Sequence, residues 1–332
     1  MGDRVRPQPR RGLVIGAGAV VGGAWALGVL CAWAETEEAD VTAFEVVVGT
    51  SAGSVLAALL GSGMPPRAVA DMLSCGAGRG IPAEAVSPVD VPGRVLRALT
   101  DIPRPIPFPG NLRLAARTLG QPGRHTVRAA AAALAPRGRG SLAPVGELID
   151  EVCGHEGWPV RPRTWMVAMD FDSGRRVVFG AAGQPVTSPS EAVMASCSVP
   201  GVFPPRQIGH RRYVDGGAVS VTNADVLAEE GLDEVLVLAP MATAAPDPRR
   251  SPAARLDRRL RQHLDQRVQW EVARLTAAGT TVRVLAPTAE DLAVMGADLM
   301  DARRRRSVFE TAVRTGTTRF LQAAPVPIDG VA

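Results

Sequence analysis

The 332-residue chain contains no lysine, so all 37 of its basic residues are arginine, against 33 acidic ones. The net charge of +4 is mild, aromatic residues make up only 4%, and the single tyrosine is Tyr213. A nucleic-acid binder concentrates its charge on a stripe interleaved with aromatic rings, so no nucleic-acid partner is expected. The four cysteines, Cys31, Cys75, Cys153 and Cys197, lie far apart. They have neither the paired spacing of a zinc site nor the density of a secreted disulfide scaffold, which predicts no metal and a reducing, cytoplasmic setting. Internal repeats and heptads are also missing. The densest basic run, Arg303 to Arg306, falls in an expected helix and reads as a solvated face, with an acidic lipid headgroup or partner surface as its alternative.

What the chain has in quantity is apolar: 46% hydrophobic residues are enough for a sizeable core. Its start, RVRPQPRRGLVIGAGAVVGGAWALGVLCAWA, mimics an exported signal or a membrane span. Six glycines between Gly12 and Gly28 argue instead for a strand-to-helix loop, with Gly16, Gly18, Gly22 and Gly23 in it. Further along, strand and helix signals alternate, which predicts a mainly parallel sheet covered by helices. Strands are expected at Leu13 to Ile15, Glu45 to Val48, Trp165 to Met169, Arg176 to Phe179, Glu234 to Leu238 and Thr281 to Ala286. Helices are expected at Gly22 to Ala34, from Ser54 to Leu60, and over the arginine-rich stretch Ala253 to Ala277. Between residues 61 and 140, proline-rich pieces and an alanine run suggest a short-helix insertion or lid.

Gly49-Thr50-Ser51-Ala52-Gly53 is a G-x-S-x-G sequence between an expected strand and an expected helix, the context of a nucleophile elbow. A sharp turn would lift the Ser51 oxygen clear of the sheet, and larger neighbours would collide with strand or helix. The plain alternative is a helix start with a capping serine. The glycine-rich loop after the first strand has a rival reading as a dinucleotide site, but Gly16, Gly18 and Gly22 are spaced one residue too long for G-x-G-x-x-G. Free amides of such a loop can equally receive an oxyanion. Asp215-Gly216-Gly217, after a short strand, is either an ordinary turn or a carboxylate held where backbone can approach a reacting group. A serine triad would need one of His125, His155, His210 and His263. His263 suits the chain order of an α/β-hydrolase, yet it sits in a charged, surface-type helix, which leaves a Ser51 and Asp215 pair as the expected catalytic set.

The glycine-rich loop, GTSAGS and DGG, in that order, resemble the patatin-like phospholipases, lipid acyl hydrolases with a serine-aspartate dyad. MASCSVPGVFPPRQIGHRRYVDGG resembles that family's segment leading into the aspartate, and the likeness covers about residues 12 to 240. The resemblance implies a three-layer α/β/α sandwich with a nucleophile elbow, Ser51 as nucleophile and Asp215 as general base. It implies an oxyanion hole of Gly16, Gly18 and Ala19, supporting glycines at 49, 53, 216 and 217, and no cofactor. Residues 12–240 would form the catalytic domain, and residues 241–323 a C-terminal extension packed on it. The substrate would be a lipid or other acyl ester, with peripheral contact to an anionic membrane as a further expectation. Where the family loop commonly reads Gly-Gly-Gly-x-Arg/Lys-Gly, this chain has Val21 at the cationic position. A nucleotide-binding regulator, a lipid-sensing pseudoenzyme and a conventional hydrolase using His263 stand as the alternatives.

Overall fold

The computed structural model describes residues 9–73, 91–119, 124–154, 157–242 and 252–322. Its strands are β1 (Arg11–Ile15), β2 (Val46–Thr50), β3 (Ile106–Pro109), β4 (Pro136–Arg137), β5 (Arg163–Asp170), β6 (Arg176–Phe179), β7 (Arg206–Ile208), β8 (Arg211–Asp215), β9 (Glu234–Leu238) and β10 (Thr281–Leu285). Its α-helices are α1 (Ala19–Thr36), α2 (Ala52–Gly61), α3 (Pro66–Met72), α4 (Val91–Thr100), α5 (Leu112–Leu119), α6 (Arg124–Leu134), α7 (Ala143–Cys153), α8 (Pro189–Ser196), α9 (Pro252–Ala277), α10 (Ala289–Met295) and α11 (Arg305–Gln322).

Eight strands form one sheet, in which β10, β9, β1, β2 and β5 run parallel in that order, β6 and β8 pair antiparallel with β5, and β7 pairs antiparallel with β8. Strand residues alternate strictly between the two faces. Leu13, Ile15, Val47, Met166, Ala168, Leu236 and Leu238 belong to the core under α1, α2, α7, α8 and α11. Val14, Val46, Val48, Trp165, Val167, Val235 and Val237 face the opposite layer, where Leu275 of α9 packs. Met169 joins α5 and α6 in a separate apolar cluster. Burial on both faces explains why these strands read as unbroken apolar runs rather than alternating ones. The result is a mixed α/β sandwich with a mostly parallel central sheet.

Helix α1 is long and apolar enough to cross a membrane by length and composition, with a mean hydropathy of 1.4 over 18 residues. In the fold it is a core helix, buried over 67% of that window and packed against α2, α3 and α11. Two boundaries differ from expectation. Gly22 donates to Gly18 O at 2.7 Å, so Gly22 and Gly23 already belong to α1 and the loop shrinks to Gly16–Gly18. Strand β2 continues to Thr50 because Gly49 and Thr50 pair with Met166 and Val167 of β5, which confines the turn to Ser51.

Candidate active site

Strand β5 brings the two motifs together. On one of its edges it pairs with β6 through Met166 to Met169. The other edge is shared. Strand β2 runs parallel to β5 and ends at Thr50, opposite Val167; β8 runs antiparallel and ends at Asp215, opposite Ala168. Two strands coming from opposite directions thus stop head to head at neighbouring residues of β5, and the turns that follow them meet.

Ser51 stands alone in that junction with φ 56° and ψ −126°, a sparsely populated conformation that costs on the order of 1–3 kcal/mol. It occupies the position before α2, but its side chain makes no capping hydrogen bond, which leaves the hydroxyl free for another partner. The glycines at either side answer to space. A Cβ at Gly53 would lie 2.0 Å from Ile15 O, and one at Gly49 would lie 2.4 Å from Gly53 O. Across the junction, a Cβ at Gly216 would lie 2.4 Å from Val167 O and 3.2 Å from Cγ2 of Thr50. The first turn of α2 also directs its unpaired amides and its positive end toward Ser51.

The Asp215 carboxyl is buried and accepts a hydrogen bond from Gly217 N–H at 2.7 Å, and the nearby Ser51 hydroxyl also favours its charged form. Burial outweighs both donors and raises its pKa from 3.8 to about 6. Next to it, burial and then the charge of Asp215 push the Cys197 thiol up to about 12, so this cysteine stays protonated.

The loop amides divide. Gly16 N–H is bound to Leu238 O at 2.9 Å and Ala17 N–H to Val221 O at 2.7 Å. Gly16 therefore departs from expectation: once β9 lies beside β1, its donor is spent on the sheet. Gly18 and Ala19 N–H groups take no acceptor among the described residues. Ala19 holds φ 51°, a conformation glycine would adopt with less strain. Val21, at the position where a cation was expected to be missing, is fully buried, and its N–H donates to Leu299 O at 3.0 Å.

Ser51 and Ala19 open on a cavity of about 150 Å³ whose walls are mostly aliphatic, among them Leu27, Leu56, Leu99, Leu142 and Val145. Of the segments expected to contact an acyl chain, Val199 and Phe203 line it, while Ile106 lines a second cavity that shares Phe203. Leu114 is core, and Phe108 and Leu112 are exposed. His210 is an exposed residue between β7 and β8. The side chains of His125, His155 and His263 lie outside the described residues, His263 being placed in the backbone of α9.

A family model described as patatin-like phospholipase matches residues 13–74 and 123–228, which hold the loop, the elbow and the Asp-Gly-Gly turn. The chain belongs to that family. Among solved structures it is similar to the type III effector protein ExoU, at 19% identity and a TM-score of 0.37, over 95% of this chain and 53% of that one. It is similar to VipD from Legionella pneumophila, at 15% identity and a TM-score of 0.42, over 95% of this chain and 66% of that one. A complex of SpcU with ExoU from Pseudomonas aeruginosa matches at 18% identity and a TM-score of 0.31, over 93% of this chain and 61% of that one. The chain thus spans between about half and two thirds of these chains.

In this patatin-like chain, three further residues hold the junction and went unread in the sequence. Ser196 accepts from Ser51 N–H at 2.9 Å and donates to Val167 O at 2.6 Å, which ties the elbow to the middle of β5. Ser198 gives its carbonyl to Asp215 N–H at 3.0 Å. Both lie in MASCSVPG, the segment already noted for its likeness, so the signal was present without a role attached. Asn223, fully buried at φ 55°, sends its amide to Thr50 Oγ1 at 3.2 Å, Gly216 O at 3.3 Å and Ser220 O at 2.6 Å, spanning both turns. Beneath it, buried Glu271 of α9 accepts from Ala224 N–H at 2.9 Å and Arg267 Nε at 3.0 Å.

Proposed function

We propose that the protein hydrolyses acyl esters of lipids in two steps through Ser51 and Asp215. Asp215 takes the Ser51 proton as the oxygen attacks the ester carbonyl, and the alcohol leaves with a proton returned from Asp215. Water, deprotonated by Asp215, then attacks the acyl-serine; the Ser51 oxygen leaves, takes that proton back from Asp215, and the acid is released. The Gly18 and Ala19 amides, with the first amide of α2, stabilise the tetrahedral oxyanion, each such donor being worth about 10²- to 10³-fold in rate.

The observation that carries this reading is the head-to-head ending of β2 and β8 on one edge of β5, which brings the Ser51 and Asp215 turns together beside an apolar cavity that Ser51 lines. An aspartate at its ordinary pKa is a poor base for a hydroxyl; one raised to about 6 is a better proton acceptor and is still ionised at neutral pH. Membership of a phospholipase family and the aliphatic cavity wall support a lipid as the acyl donor. Exposed Ile106, Phe108 and Leu112, close in sequence to exposed Arg104, Arg113 and Arg117, support docking on an anionic lipid surface. Residues 12–240 form the catalytic unit in this reading, and 241–323 complete it through β10, which extends the sheet, and α11, which covers α1.

The test is a medium-chain ester assay together with labelling by a fluorophosphonate probe. Wild type should turn over the ester and be labelled at Ser51, while Ser51→Ala and Asp215→Asn lose turnover. Full activity in either purified variant removes the dyad. Lipid extracts compared by mass spectrometry with and without enzyme identify the substrate.

A further inference from the structure

Among the described side chains lining the cavity that holds Ser51, one is charged: Arg305, the first residue of α11. Its neighbours in the basic run are accounted for. Arg303 and Arg304 both pair with Asp301, and Arg306 pairs with Glu310. Among the described residues Arg305 enters no ion pair, donates one hydrogen bond, from Nη1 to Ala302 O at 3.2 Å, and has no acceptor for its buried Nε. A guanidinium cannot escape an apolar wall by losing its proton, so an unsatisfied donor there waits for an anion.

The place of this cation matters. Met300 and Arg305 line the cavity, and the segment that carries them is tied to the start of α1 where Leu299 O accepts from Val21 N–H. The loop itself brings no charge, having Val21 where a cation would stand. We propose that Arg305 binds the phosphodiester of the acyl substrate, making a phospholipid or lysophospholipid preferred over a neutral glyceride. This rests on the reading of Ser51 as an esterase nucleophile. The planar fork of the guanidinium matches two phosphate oxygens at once. The carboxylate of a released acid, by contrast, arises at the reacting carbon, where the loop amides already supply donors.

The experiment has two arms. In the first, kcat/KM is measured on a short-chain phosphatidylcholine and on a diacylglycerol with the same acyl chains, for wild type, Arg305→Gln and Arg305→Lys. The preference for the phospholipid, taken as the ratio of the two kcat/KM values, should fall roughly 10- to 100-fold in Arg305→Gln, with only part restored by Arg305→Lys, which keeps the charge and loses the fork. An unchanged ratio overturns the proposal. In the second arm, the inactive Ser51→Ala protein, with and without Arg305→Gln, is titrated calorimetrically with decylphosphocholine, decanoate and monodecanoylglycerol below their micelle concentrations. Loss confined to decylphosphocholine supports the proposal. Equal loss on all three probes, a packing effect, overturns it, as does loss on decanoate alone, which would mark a site for the released acid. If wild type hydrolyses no ester, the esterase reading fails, and the binding arm still decides whether Arg305 recognises a phosphodiester.

Discussion

Asp215 should set both the pH profile of the reaction and a measurable weakness of the fold. Its carboxyl titrates at 3.8 when solvated and at about 6 when buried. In the proposed role of general base it must be ionised, so kcat/KM should rise tenfold per pH unit below about 6 and level off above it. For stability, the native state keeps the proton between 3.8 and about 6 while the unfolded chain has already released it. The contribution of this group is therefore fully present below the unfolded pKa and is lost as pH rises through the native one. The rise from 3.8 to about 6 corresponds to about 3 kcal/mol, of which about half is gone by pH 5 and nearly all by pH 7. Asp215→Asn removes the charge from the site, so it should be inactive yet gain stability relative to wild type as pH rises, the gap widening by about 1.5 kcal/mol between pH 5 and pH 8. Urea unfolding at the two pH values measures the gap, and a soluble ester assayed from pH 4.5 to 9 gives the profile. A profile with its midpoint near 4, or a variant whose stability gap does not change with pH, would refute the claim that burial governs this carboxylate.

Ser51→Ala should lower kcat by about 10⁴-fold or more in the same assay while the native fold persists, because the backbone N–H of residue 51 keeps its bond to Ser196. Ser196→Ala deprives Ser51 N–H and Val167 O of their common partner; it should cost about 1–3 kcal/mol in urea unfolding and lower kcat with little change in KM. Gly53→Ala would drive a methyl group to 2.0 Å from Ile15 O, and circular dichroism of the purified protein should report loss of the native fold or at least about 3 kcal/mol of destabilisation. Asn223→Leu should lower both stability and kcat, since the amide that ties Thr50 to Gly216 is lost; unaltered kinetics would show that the two turns hold their spacing without it.

Local features were readable from the sequence and long-range ones were not. The elbow could be read because its constraint is steric and close at hand: Gly49 and Gly53 are needed by atoms of the neighbouring strand and helix. Strands Arg176–Phe179 and Glu234–Leu238 fall where their apolar and β-branched residues predict. That β8 runs against β2 on the same edge of β5 has no local signature, because pairing direction depends on connections far away in the chain. The fate of Gly16 is similar. Its glycine-rich surroundings promised a free donor, and only the arrival of β9 beside β1 decides that its N–H belongs to the sheet.

Arg305 had a signal that composition concealed. Taken as a block, Arg303 to Arg306 is a charge run, and a charge run reads as solvent-facing. Followed along α11 at helical spacing, however, Arg305 falls in line with Val308, Phe309, Ala312, Gly316 and Phe320, all of them buried. A helix places residues three, four and seven apart on one face, so the first member of that stripe was bound to face the interior whatever its chemistry. An arginine there is a local conflict between pattern and polarity, and such conflicts concentrate at functional sites. The junction shows the same relation from the other side. Ser51 in a strained turn and Asp215 in a desolvated one each cost stability, and Ser196, Ser198 and Asn223 hold them there through hydrogen bonds that run to the sheet. Arg305 brings the first turn of α11 to the cavity that Ser51 lines, and what its buried Nε lacks among the described residues is what an anionic lipid would bring.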